Sequence, residues 1–334
     1  MPLQVAYIVP SPLQKLEGRV FSSIASIRLR CLLIAPELVT LGYNGVLIYE
    51  SDLSNAVSDG RLEKCDLIVI YKPQRNFDYF SIFKSVRQPI VLDMCDESTL
   101  QHDDLVSLAT VVTTSSPGLA RLARDGTDCT VRFVPDCIEG ERGQALSGEK
   151  PEGLNAVWFG FRKNIGPLLS RIGCFARSAH MIRRLEVVTD NAASVSTEAF
   201  SGIANTELVL SEWSPKSQAE ALSRSHVSLL PREFGITRVA RSANRLQQCL
   251  WAGRLPVSSR FEGDKRFSDY AVITNDLHVG LAEILDDWEG ALERLRKGQV
   301  WTASNFSPPA LAVLWSDVFA LALGRSDTGY AVAR

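Results

Sequence analysis

Leu229-Leu230-Pro231-Arg232-Glu233-Phe234-Gly235-Ile236-Thr237-Arg238-Val239-Ala240-Arg241-Ser242-Ala243-Asn244-Arg245-Leu246-Gln247-Gln248-Cys249-Leu250-Trp251-Ala252-Gly253-Arg254-Leu255-Pro256-Val257 reads as a strand end, a polar loop, a helix and the next strand. Ser242 is suited to cap the helix, and Gly253 to close it just before the strand restarts. Arg241 and Arg245 lie four apart and share one side of the expected first turn. Free backbone N–H groups and the helix dipole already favour an anion there, and a diphosphate is the obvious guest. Asn244 and Gln248, also four apart, are placed to meet hydroxyls or phosphate oxygens. Solvated arginines on a surface helix would produce the same spacing.

The same alternation extends outward in both directions. Upstream, strands are expected at 5–9, 45–49, 67–71, 90–93, 111–114 and 131–134. Several are apolar on both faces, as strands of a parallel sheet covered on both sides must be. Helical patterns lie between them: 27–41, with Pro36 inside it, 79–86, and 118–124 behind Ser115-Ser116-Pro117. Residues 135–153 turn polar and read as a linker. Strands then resume at 156–159, 185–189, 206–210, 227–230, 256–258 and 271–274, with helices at 165–176, 216–225 and 242–252. The expected architecture is α/β, with two doubly wound Rossmann-like domains at 1–140 and 153–305. A last helix, about 308–324, sets Leu311, Leu314, Trp315, Val318 and Ala322 on one side with Phe319 beside them. That side suits packing on a domain; a peripheral membrane face is the competing reading, although basic residues are nearly absent there.

A chain of 334 residues is long enough for two cores. Its 36 lysines and arginines against 38 aspartates and glutamates give a net charge of −2, which supplies no broad basic field for duplex nucleic acid. An anionic ligand must therefore meet local positive charge. The seven cysteines are scattered and mostly sit in apolar runs, as reduced core residues do. No CxxC pair occurs, and His102, His180, His226 and His278 have no metal-ligand spacing, so no metal site is expected. Neither a signal-type N-terminus nor a long apolar run is present, and a cytoplasmic location is expected.

Three segments, in order, resemble the C-terminal domain of GT-B glycosyltransferases close to family 4. Ala156-Val157-Trp158-Phe159-Gly160-Phe161-Arg162-Lys163-Asn164 resembles the first strand and loop of that domain. Trp213-Ser214 through His226-Val227-Ser228-Leu229-Leu230-Pro231 resembles its nucleotide-base loop and the following helix and strand. Arg241-Ser242-Ala243-Asn244-Arg245-Leu246, with Trp251-Ala252-Gly253 and Pro256-Val257, resembles its Lys-Ser-Asn-Arg-Leu helix and the strand after it. The resemblance implies two Rossmann-like domains facing across a cleft, an N-terminal acceptor domain, and a last helix that returns to that domain. It also implies hexosyltransferase-like transfer from a nucleoside-diphosphate sugar without a metal. The nucleotide-sugar site would comprise Gly160, Arg162, Lys163, Asn164, Trp213, Arg241, Ser242, Asn244, Arg245 and Gln248. Cations and helix N-termini would neutralise the departing diphosphate.

The chain departs from the family pattern at two points. Many family 4 enzymes carry two glutamates eight apart, and Ala240 and Gln248 stand at those positions; Glu233 lies in the same loop. The catalytic histidine of many retaining members has no clear counterpart. On the acceptor side, Asp96 and Glu97 follow a strand at its carboxyl end and are candidate catalytic residues, although paired carboxylates also serve as helix-start dipole partners. Arg28 and Arg30 are either phosphate ligands or solvated cations. The expected partners are a nucleotide-sugar donor and a glycan, lipid-linked or small-molecule acceptor. A non-catalytic GT-B nucleotide- or glycan-binding protein, or a nucleotide-sugar epimerase or hydrolase, is the alternative.

Overall fold

Strands buried on both faces need helices on both sides, and the chain supplies them twice. A computed structural model describes residues 1–10, 13–16, 18–74, 77–96, 103–171, 180–203, 206–232 and 240–325. The chain divides into two compact units, one made of residues 1–139, 239–242 and 305–334, the other of 140–238 and 243–304.

In the first unit β1 (Leu3–Val9) leads into a hairpin of β2 (Gln14–Leu16) and β3 (Arg19–Phe21). Then follow β4 (Tyr43–Tyr49), β5 (Leu67–Tyr71), β6 (Ile90–Met94), β7 (Val111–Thr114) and β8 (Thr130–Phe133). They form a parallel sheet in the order β4-β1-β5-β6-β7-β8. Alternate residues enter opposite cores: Ala6, Ile8, Ile68 and Ile70 on one face, Val5, Tyr7, Val69 and Tyr71 on the other.

The Pro308–Ala322 helix covers the second face with Leu311, Trp315, Val318, Phe319 and Ala322. It therefore belongs to the first unit, as the sequence suggested, and its apolar side is spent on that core rather than on a membrane. No helix among the described residues is long and apolar enough to cross a bilayer.

The long helix expected over 27–41 is broken instead. A single α-turn, Ala25–Ile27, passes into a π-turn, Arg28–Leu32, closed by Leu33 N–H donating to Arg28 O at 3.0 Å. A new helix starts at Ala35, with Pro36 in its first turn where its missing N–H costs nothing.

The second unit holds β9 (Leu154–Phe159), β10 (Ile182–Thr189), β11 (Glu207–Glu212), β12 (Val227–Leu230), β13 (Leu255–Ser258) and β14 (Val272–Ile273). They form a parallel sheet in the order β11-β10-β9-β12-β13-β14. The helices Leu277–Asp286 and Trp288–Phe306, not expected from the sequence pattern, follow the last strand.

The polar stretch 135–153 is packed rather than slack. Asp136 is buried in the first unit and Ile138 N–H donates to Phe306 O, whereas Gly143 N–H donates to Trp251 O and Leu146 N–H to Gly253 O in the second. Gln299 Nε2 ties this segment down by donating to Gly143 O at 2.7 Å and Trp251 O at 2.9 Å.

Candidate functional site

An open parallel sheet binds ligands at the carboxyl ends of the strands where its order reverses, because the connecting loops part there. In the second unit that point lies between β9 and β12, and Gly160 immediately follows β9. A methyl group at Gly160 would come within 3.3 Å of the Trp158 ring and 3.4 Å of Arg245 Nη1. The Arg245 guanidinium thus lies directly against the glycine turn, and Nη1 donates to Phe159 O at 3.3 Å. Arg245 stands in the first turn of the Asn244–Trp251 helix, so its charge adds to the unsatisfied N–H groups of that helix start. Gln248 is one turn further along and buried.

On the other flank the Arg162–Asn164 turn follows Gly160. Arg162 N–H donates to Asp190 Oδ1, which fixes the backbone and leaves the Arg162 and Lys163 side chains exposed. Trp213 follows β11, two strands from β9, where its Nε1–H donates to Gln218 Oε1 at 2.9 Å. Arg232, not singled out in the sequence, is a buried cation just beyond β12, stacked 3.7 Å from the Phe261 ring centre. Its position two residues after an apolar strand at the reversal was the available signal.

Several expectations are corrected. Ala243 rather than Ser242 stands at the N-cap of the Asn244–Trp251 helix, and it has no side-chain cap bond. Arg241 consequently precedes the helix and does not share its first turn with Arg245. Both Arg241 and Ser242 belong to the first unit, where Ser242 hydrogen-bonds Asp136. Ala240 is buried in the first unit's core, and its carbonyl accepts from Ser116 Oγ at 2.8 Å.

Arg28 and Arg30 are neither phosphate ligands nor solvated. Arg28 pairs with Glu139 at 2.7 Å and donates to Ser22 O. Arg30, wholly buried, makes a two-pronged pair with Asp93, reaches Asp136 at 3.2 Å, and lies over the Trp315 ring. Burial opposes the charge on Arg30, but the two carboxylates win and push its pKa up. His226 is structural as well: its Nδ1 accepts from Asn155 N–H at 2.8 Å, and burial, then Arg183 and Arg254, lowers its pKa. Glu97, Glu233 and His102 lie outside the described residues.

At the carboxyl end of the first sheet, Asp96 follows β6 and its Oδ2 is 3.6 Å from Lys72 Nζ. Lys72 follows β5 with φ +49°, a left-handed conformation unusual for a residue with a Cβ. Ser115 Oγ donates to Cys95 O, and Ser116 caps the Pro117–Asp125 helix through Leu119 N–H. Among the described residues, no three His, Cys, Asp or Glu side chains gather where they could share a cation.

No family model and no curated protein matches this sequence. Solved structures match its fold across nearly the whole chain. Anabaena HepE in complex with UDP and glucose is 10% identical, with 95% of this chain and 99% of that one covered and a TM-score of 0.66. A glycosyltransferase from Rickettsia africae is 10% identical, with 97% and 100% covered and a TM-score of 0.69. AviGT4, a glycosyltransferase involved in avilamycin A biosynthesis, is 14% identical, with 97% and 98% covered and a TM-score of 0.61. These are two-domain GT-B structures, and the chain has that fold.

Proposed function

We propose that this chain is a glycosyltransferase, hexosyltransferase-like, that uses a nucleoside-diphosphate sugar held by its second unit. The observation that carries the reading is the Arg245 guanidinium set against the Gly160 turn at the sheet's reversal point. There the diphosphate would meet a fixed cation, a helix start and a backbone with no side chain in the way. Arg162 and Lys163 would add mobile charge from the opposite flank. Asn164, Asn244 and Gln248 would supply hydrogen bonds to phosphate or ribose, and Trp213 would border the base. Arg241 and Ser242, which immediately precede the helix start, would add a cation and a hydroxyl beside it. HepE was solved with UDP and glucose and also with UDP-glucose, which makes uridine donors the first to try.

Transfer requires the charge growing on the leaving diphosphate to be stabilised, and fixed cations do this without a metal ion. Turnover is therefore expected to persist in excess EDTA; loss of turnover, restored by a divalent cation, would contradict this part of the reading. The acceptor side is assigned to the carboxyl end of the first sheet, with Asp96 and its Lys72 partner as candidate acceptor residues. Ala240 and Gln248, where many family 4 enzymes have glutamates, favour a second reading: a GT-B protein that binds nucleotide sugars without turnover. Incubation with UDP-, GDP-, ADP- and dTDP-linked sugars separates the two. Sugar transfer supports the first, saturable binding without turnover the second, and isomerised or hydrolysed donor without acceptor would point to an epimerase or hydrolase.

A further inference from the structure

Three strands of the second unit end level with one another: Phe159 of β9 pairs with Val188 of β10, and Thr189 of β10 with Glu212 of β11. Phe161 follows the first of these ends and Trp213 the third, and the backbone beside each is tied to the middle one. Gly160 N–H donates to Val188 O at 3.1 Å and Arg162 N–H to Asp190 Oδ1, while Trp213 N–H donates to Thr189 O at 3.0 Å. Between them Glu212 holds down the turn after β10, its two carboxylate oxygens accepting from Asn191 N–H and Ala192 N–H, each at 2.9 Å. The Trp213 ring is fixed as well, through its bond to Gln218 and the capping box that Ser214 makes with Ser217. Phe161 is 46% exposed, and no other Phe, Tyr or Trp among the described residues of this unit is exposed. A ring left in water on a rigid turn forgoes hydrophobic free energy that a bound ring would recover. Neighbouring strands lie about 4.8 Å apart, so β9 and β11, with β10 between them, run about 10 Å apart. A flat ring held between two others needs about 7–8 Å, twice the optimal carbon–carbon separation.

We propose that Phe161 and Trp213 are the two walls of a slot for the donor's nucleobase, an inference that rests on the nucleotide-sugar reading above. The backbone from Gly160 to Arg162 leans onto β10, so Phe161 stands on the β10 side of the diphosphate, away from β12. A base that reaches Trp213 from a diphosphate on the Gly160 turn crosses the end of β10, and there Phe161 covers its second face. Stacking uses the π-face that every base has, so the slot fixes that a flat base is bound and how it lies, and leaves the choice among bases to hydrogen bonds at its edge. A hexose has no such face, and the sugar end of the donor lies outside the slot.

The test is calorimetric titration of UDP, GDP, ADP, UDP-glucose and inorganic pyrophosphate into the wild type, Phe161→Ala and Phe161→Tyr. Phe161→Ala should weaken each nucleoside diphosphate that the wild type binds by about 5- to 150-fold, the scale on which a base loses one stacking partner. UDP-glucose should lose the same factor as UDP, and pyrophosphate, which has no ring, should bind both proteins alike. Phe161→Tyr keeps the ring and should bind as the wild type does. Folding is not at risk, because truncating an exposed side chain costs little, and the Tm of Phe161→Ala should match the wild type's. Two walls of one slot are coupled, so Phe161→Ala should cost a smaller factor in a Trp213→Ala background than in the wild type. Unchanged nucleotide affinity in Phe161→Ala would overturn the slot. So would an equal loss for pyrophosphate, which would make Phe161 a prop of the Gly160 turn, or a loss confined to UDP-glucose, which would place the ring on the sugar. The same factor in both backgrounds would overturn the pairing of the two walls. A wild-type protein that binds none of the nucleoside diphosphates would overturn the functional reading beneath them.

Discussion

Arg30→Ala should destabilise the chain by about 3–5 kcal/mol, the cost of leaving a buried charge without its partner. Arg30 and the Asp93 side chain are both wholly buried, and Asp136 is nearly so. The guanidinium joins β6, through Asp93, to the segment after β8, through Val134 O at 2.6 Å and Asp136. Removing it strands two carboxylates; Thr113 Oγ1, which donates to Asp93 at 2.6 Å, offsets little of that. Burial already raises the pKa of Asp136, with Arg30 opposing it, so the variant should drive a proton onto that carboxyl. A loss on this scale is a large fraction of the about 5–15 kcal/mol that holds an ordinary domain folded. Urea unfolding measures it, and a loss below about 1 kcal/mol would show that the cluster relaxes or takes in water.

Arg245→Ala should weaken binding of a nucleoside diphosphate by about 1.5–3 kcal/mol, roughly 10- to 150-fold, the scale of a charge-assisted hydrogen bond. Its fold should tolerate the change better than that of Arg30→Ala, because Arg245 is only half-buried and its contact to Phe159 O is a long 3.3 Å. Calorimetric titration of UDP into both proteins decides it. Equal affinities, with the variant folded, would remove the diphosphate from the Gly160 turn.

Strands such as Leu67–Tyr71, Val111–Thr114 and Val227–Leu230 were legible because burial on both faces leaves an unbroken apolar run. The Trp288–Phe306 helix was not, since Gly290 and Gly298 interrupt its pattern. Gly298 is there for packing: a Cβ would come within 2.8 Å of Tyr270 and 2.9 Å of Leu250. Spacing placed Arg28 and Arg30 on one helix turn but could not show that Arg28 would meet Glu139, which is distant in sequence, or that Arg30 would meet Asp93. Ser242 looked like a cap because serine usually is one; its bond to Asp136 is a tertiary contact that local sequence does not encode.

Whether the second unit seats a nucleoside diphosphate between the Gly160 turn and the Asn244–Trp251 helix can be read by hydrogen–deuterium exchange with and without saturating UDP. Exchange should slow in peptides spanning 158–164 and 243–251, with that protection reduced in Arg245→Ala at the same nucleotide concentration. Protection confined to the first unit, or absent from both peptides while calorimetry shows binding, would contradict such a seat.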